Sequence, residues 1–412
     1  MTGGYVQAEG APPGEAITAR FRITPADGRD LRTVATAVAA ESAIGTWTDV
    51  AAMDAGIRQR LAPTVELVGD AWVDIAYPLP LFESGSLPQL LSSVAGNVFG
   101  MNDVAGLRLE DVRLPHAYVQ TFPGPALGMG GIRGRLGVTG RPLIGTIIKP
   151  KVGLGPDAHA AVAEQAWRGG CDIVKDDENL TDQAFNRFDE RIQTTLSALR
   201  RAEDRTGERK LYLANVTAET TEMVRRARLV AASGGIAVMV DVLTVGWAAV
   251  QTLRAETGRL GLALHAHRAG HAAFTRDPRH GVSMLVLARL ARLAGVDLLH
   301  IGTGVGKMHG SADEVRTLAD ALRTQRAPWE ETAPVMPVSS GGLHPLHAPA
   351  LVENLGVDFV MQAGGGVHGH PDGTEAGARA LRAAVEAAAD GRPLDVAAAR
   401  SPELRRAQEV WR

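Results

Sequence analysis

The chain has 412 residues, enough for two domains, or for one barrel of about 200–250 residues with a smaller companion. Apolar residues make up 45% and charged residues 22%, ordinary globular usage that excludes disordered, coiled-coil and collagen-like classes. The 43 basic and 46 acidic residues leave a net charge of −3, so nothing supports nucleic-acid binding through a basic surface. No apolar run approaches the length of a membrane span, and residues 1–13 lack the basic-then-apolar order of a signal peptide. A soluble cytoplasmic protein is therefore expected. Cys171 is the single cysteine, which rules out an intrachain disulfide and a cysteine-rich zinc site.

In chain order, a mobile Gly/Pro-rich lead over residues 2–15 is expected first. Strand-like stretches at 16–23 and 64–76 then alternate with helical ones at 31–41 and 87–98, which predicts a small α+β domain over about 1–125. A glycine-rich, turn-like stretch at 122–140 separates it from the larger C-terminal part of the chain. From residue 143 short β-branched runs recur at 143–150, 172–177, 211–217, 237–244, 263–268, 298–302, 335–341 and 359–366. Between them, residues 158–168, 219–232, 283–294, 313–323 and 377–389 carry apolar residues at helical spacing. Eight successive βα units predict a (β/α)8 barrel over 126–412, with a doubly wound sheet as the alternative, since periodicity alone does not show closure.

Of the 43 basic residues only five are lysines: Lys149, Lys151, Lys175, Lys210 and Lys307. An amine, unlike a guanidinium, can give up its proton or be covalently modified. Lys210 reads as a surface residue, but the other four lie in unusual motifs at expected strand ends, where barrel chemistry sits. In Gly-Gly-Cys-Asp-Ile-Val-Lys-Asp-Asp-Glu-Asn (169–179), consecutive acids repel unless a cation is present, and their hard oxygens suit Mg2+. An exposed helix N-cap would account for Asp177 and Glu178 but not for Lys175 inside an apolar strand. Lys149 and Lys151 flank a proline and can hold an anion or move a proton, a solvated lysine pair being the plainer alternative. His265 and His267 share one strand face, and with Arg268 beside them oxyanion binding is more natural than zinc. Ser339-Ser340-Gly341-Gly342 and Gly364-Gly365-Gly366 follow strands 7 and 8 and suit a phosphate. The glycine-rich 302–306 segment reads as a lid that carries Lys307.

Gly-Thr-Ile-Ile-Lys-Pro-Lys, Lys-Asp-Asp-Glu-Asn, His-Ala-His-Arg-Ala-Gly-His, His-Ile-Gly-Thr-Gly-Val-Gly-Lys, Ser-Ser-Gly-Gly and Gly-Gly-Gly-Val-His-Gly-His-Pro occur in this order. Together they resemble the large chain of ribulose-1,5-bisphosphate carboxylase/oxygenase, RuBisCO. The resemblance extends into Glu41–Trp47 and residues 96–100, and so covers nearly the whole chain. It implies a C-terminal TIM barrel, a ferredoxin-like N-terminal domain and a homodimer or multiple of dimers, with no small subunit expected. It implies that CO2 converts Lys175 to a carbamate, which with Asp177 and Glu178 holds Mg2+ and acts as the base that enolises a phosphorylated ketose. Lys149 is then the acid/base for the final carbanion, Lys151 its neighbour, and His267 a proton-transfer and hydroxyl-binding residue. Lys307 would steer the attacking gas and contact Glu41 of the partner. One phosphate falls to Thr46, Trp47, Gly342, Gly364 and Gly365, the other to Arg268, His300 and Ser340, while Asn97 reaches the substrate from the partner chain. His309 stands where carboxylases typically carry an acid, residues 310–337 look short, and the tail after 389 offers little to latch a lid. The expected activity is carboxylation of ribulose bisphosphate. The alternative is a RuBisCO-like isomerase, enolase or decarboxylase acting on another ketose phosphate.

Overall fold

The computed structural model describes residues 3–7, 14–48, 50–306 and 310–411. The expected lead thus falls partly outside the described residues, as do Lys307 and His309. In chain order the first strands are β1 (Ala16–Pro25), β2 (Thr64–Leu67), β3 (Trp72–Pro78), β4 (Val104–Arg113) and β5 (Leu143–Ile147). Next come β6 (Ile173–Lys175), β7 (Leu211–Asn215), β8 (Ala237–Asp241) and β9 (Ala263–His267). The last are β10 (Gly281–Val282), β11 (Leu298–His300), β12 (Met336–Ser340) and β13 (Val360–Gln362). They belong to two compact units: Met1–Pro123 with Gly270–Ala294 and Gln325–Glu331, and Gly124–Ala269 with Gly295–Thr324 and Thr332–Arg412.

In the first unit β1 alternates buried and half-exposed positions, so Ile17, Ala19, Phe21 and Ile23 face one core. The antiparallel order β4-β1-β3-β2, with helices Leu31–Glu41 and Leu87–Val94 between strands, is the βαββαβ arrangement of a ferredoxin-like domain. Asp30 starts the first helix where expected, its carboxylate accepting from the Thr33 amide at 2.9 Å. The run expected as one strand over 64–76 is two, because the chain reverses at 68–71 and the Val68 amide donates to the Trp72 carbonyl. Strand β4 is not apparent in the sequence because charges interrupt its alternation. Those charges are paired, Glu110 across the sheet with Arg22 at 2.7 Å and along its own strand with Arg108 at 3.2 Å. β10 adds to β4 in parallel.

In the second unit β5, β6, β7, β8, β9, β11, β12 and β13 close into a parallel barrel, β11 pairing with both β9 and β12. Nearly every strand residue is buried, as expected for strands covered on both faces, and closure excludes the doubly wound alternative. The barrel floor is filled by Leu143, Ile173, Leu211, Ala237, Ala263, Leu298, Met336 and Val360, against which Ile132 and Leu136 pack. These last two lie on the helix Gly128–Leu136, within a stretch expected to be turns. The Asp297 carboxylate, ahead of β11, explains that helix: it accepts from the amides of Leu127 and Gly128 at 2.7 Å each, and from Leu264 at 2.8 Å.

Lys210 is also not the surface residue expected. It is fully buried, its amine donating to Glu208 at 2.7 Å and to the Cys171 carbonyl at 3.1 Å. The C-terminal tail forms helices Leu394–Ala398 and Pro402–Trp411, and the Trp411 ring stacks on His344 at 5.5 Å.

Candidate active site

The ends of β5 to β9 bring amines, carboxylates and imidazoles together. Lys175, the last residue of β6, is fully buried, and its amine donates to the Asp176 carbonyl at 2.7 Å and lies 3.6 Å from the Glu178 carboxylate. Burial pushes this amine below its ordinary value, and Glu178, Asp241, Asp177 and Asp176 partly pull it back. Glu178 lies at the centre of the cluster, 3.7 Å from Lys151 and 3.8 Å from Nε2 of His267. Burial works against its ionisation, but Lys175 and His267 outweigh burial and hold it at about 2. Asp177 is buried and accepts from the Lys149 ammonium at 2.6 Å. Nδ1 of His267 lies 2.6 Å from Asp241 on β8, which orients the ring with Nε2 towards Glu178.

Asp176 does not join this group, although the sequence reading counted it among three acids that call for a metal. Its carboxylate points into a buried network: Tyr212 donates at 2.6 Å, the Asn215 amide at 3.0 Å and Arg191 at 3.2 Å, with His159 at 3.0 Å. Burial opposes its charge, yet Arg191, His159 and Tyr212 prevail and hold the carboxyl well below the usual range. The cation that answers Asp176 is therefore a guanidinium. Asn215, at the end of β7, donates to the carbonyls of Asp177 and Glu178 at 3.3 and 3.2 Å, fixing the turn that carries both carboxylates.

Beside this group His265, His267 and His300 meet edge-on, with ring centroids 4.8 and 4.7 Å apart. Burial pushes His265 and His300 well below their ordinary values, so both rings are neutral. Arg268 follows β9; burial lowers its guanidinium to about 10, which leaves it charged at neutral pH. Gly302, with φ of 96°, runs so close to Arg268 that a Cβ there would lie 2.9 Å from the guanidinium. Ser340 ends β12, and Gly364 and Gly365 follow β13. In the first unit the Asn97 amide donates to Glu41 at 3.4 Å, Thr46 is half-buried and Trp47 is 85% exposed.

The sequence reading missed His159, Arg191 and Tyr212, which come from two helices and a strand and share no motif. It also passed over His368 and Thr146, whose ring nitrogen and hydroxyl lie 3.0 Å apart.

A closed (β/α)8 barrel whose rim carries amines, carboxylates and imidazoles from successive strand ends defines a barrel enzyme. The chain belongs to the ribulose bisphosphate carboxylase large-chain family: its N-terminal domain matches over residues 4–118 and its catalytic domain over 128–411. A ribulose bisphosphate carboxylase from Methanosarcina barkeri is 47% identical, the match covering 99% of this chain and 98% of the relative. Another from Pyrococcus horikoshii is 50% identical over 90% of this chain and 86% of the relative. Among solved structures, octameric Rubisco from Pyrococcus horikoshii is similar with a TM-score of 0.94 at 45% identity, covering 99% of this chain and 96% of that one. Dimeric archaeal Rubisco from Hyperthermus butylicus is similar with a TM-score of 0.93 at 45% identity, covering 100% and 99%.

Proposed function

We propose that this chain is a ribulose-1,5-bisphosphate carboxylase/oxygenase that enolises its ketose substrate and adds CO2 to give 3-phosphoglycerate, working as a dimer or multiple of dimers. The observation that carries the reading is the convergence of Lys175, Glu178 and His267, with Asp177 paired to Lys149, at one barrel mouth. Dimeric and octameric Rubisco neighbours support the assembly.

The residues fit an activating Mg2+ and a lysine carbamate. A buried amine biased towards its neutral form is the species that reacts with CO2, and the resulting oxygens add to the hard carboxylates of Asp177 and Glu178. Lys175 as carbamate, Asp177 and Glu178 would hold the metal, which when bound stabilises negative charge developing on the ketose oxygens. Asp241 orients His267 through Nδ1, so that Nε2 faces the site for proton transfer or for a substrate hydroxyl. Lys149, paired with Asp177 at 2.6 Å, is the donor for the final carbanion. Arg268, His300 and Ser340 would bind one phosphate. Gly364, Gly365 and Gly342 would bind the other, with Thr46 and Trp47.

Purified protein incubated with Mg2+, ribulose bisphosphate and labelled bicarbonate is expected to form acid-stable label, and the Lys175→Arg variant none. Exchange of the C3 proton by wild-type protein without any label would instead assign the chain to the RuBisCO-like enzymes.

A further inference from the structure

One imidazole outside the group at the barrel mouth is bonded at both nitrogens. Thr146, buried on β5, donates its single hydroxyl proton to the Ala363 carbonyl at 2.8 Å. Nε2 of His368 lies 3.0 Å from the same hydroxyl oxygen, so Nε2 carries the hydrogen and donates. Nδ1 is then the acceptor, 3.0 Å from the hydroxyl of Thr374 at the start of helix Gly373–Ala389. The ring joins three pieces of chain: β5, which leads to Lys149, the turn after β13, and the following helix. Burial and the charge of Lys149 hold the imidazole at about 4, so the arrangement stays neutral at physiological pH. Gly364 begins this turn, and a Cβ there would lie 3.2 Å from Cε of Lys149, so the lysine stem rests directly on the turn. His368 also fixes the turn from its far end, since its own amide donates to the Gly364 carbonyl at 3.1 Å.

We infer that His368 is a positioning residue: through Thr146 and Thr374 it holds the Gly364–Gly365 turn, and the Lys149 stem lying on it, in the geometry that receives a substrate phosphate. The inference rests on the function proposed above in taking that turn as a phosphate cradle. A side chain that only filled space would need neither ring nitrogen. His368 uses both, on hydroxyls of separate elements, and one of those hydroxyls also anchors the strand to the carbonyl of Ala363.

The test uses His368→Leu, His368→Gln and Thr146→Val in the full-length protein, with inorganic phosphate as the calorimetric probe. His368→Leu should weaken phosphate binding and raise the KM for ribulose bisphosphate roughly five- to tenfold, with a smaller effect on kcat, as expected for loss of buried hydrogen bonds that orient a binding loop. His368→Gln keeps a donor near the Nε2 position and should recover most of the loss, while Thr146→Val should reproduce His368→Leu. Unchanged phosphate binding in a His368→Leu protein that melts at the wild-type temperature overturns the inference, as does a Gln variant no better than Leu. If His368→Leu does not fold, wild-type phosphate binding in Thr146→Val overturns it equally. Phosphate binding requires no turnover, so a wild-type protein that binds phosphate but fixes no CO2 counts against the proposed reaction and not against His368.

Discussion

Two adjacent carboxylates, Asp176 and Asp177, have opposite fates because a strand end sends successive side chains to opposite faces. Asp177 turns to Lys149 at the mouth, whereas Asp176 turns into the layer between barrel and helices, where Arg191 is fully buried. Removing the charge at Asp176 leaves that guanidinium uncompensated in a dry site. Asp176→Asn should therefore cost about 3–5 kcal/mol in a urea denaturation series at neutral pH, far more than the ~1 kcal/mol of a surface ion pair. A loss near the surface value would mean that water reaches Arg191. The sequence shows Lys-Asp-Asp-Glu as a chemical motif but not which acid turns inward, because the deciding partners His159, Arg191 and Tyr212 lie 15 to 36 residues away on other elements. The burial of Lys210 is illegible for the same reason: it depends on Glu208 and on the Cys171 carbonyl, a partner 39 residues distant.

Elements are most legible where burial is two-sided. The eight barrel strands are continuous apolar runs that read directly from the sequence, whereas β4 is obscured because cross-strand pairs satisfy its charges. Helix Gly128–Leu136 is hidden differently, since its glycines have poor intrinsic helix propensity. What makes it a helix is tertiary: Asp297 caps its first amides and also holds the Leu264 amide of the strand region, and Ile132 and Leu136 close the barrel floor. Asp297→Ala would leave three amides without their acceptor. A loss of about 2–4 kcal/mol is expected in denaturant unfolding, with hydrogen exchange rising first over residues 127–136. Unchanged protection there would show that apolar packing alone holds the helix.

At the scale of the whole molecule the chain carries its proposed chemistry in two places. Lys175, Asp177 and Glu178 belong to the barrel unit, and Glu41, Thr46, Trp47 and Asn97 to the unit that begins the chain. In the first unit Asn97 and Glu41 hold each other across 56 residues, and the Trp47 indole is exposed. The family resemblance assigns these groups to the site of a neighbouring chain, so in the proposed dimer each complete site draws on both protomers. That arrangement makes activity separable by chain. A Lys175→Met chain keeps a good N-terminal contribution, and an Asn97→Ala chain keeps a good barrel. Each homodimer should be nearly inactive, whereas a hybrid should hold one intact site formed by the barrel of the Asn97→Ala chain and the N-terminal residues of the Lys175→Met chain. Co-refolding equal amounts should give half hybrids by random pairing and therefore about one quarter of wild-type label incorporation, since each hybrid has one working site of two. Label no greater than the sum of the two homodimers would place each site within a single chain and remove the dimer from the mechanism.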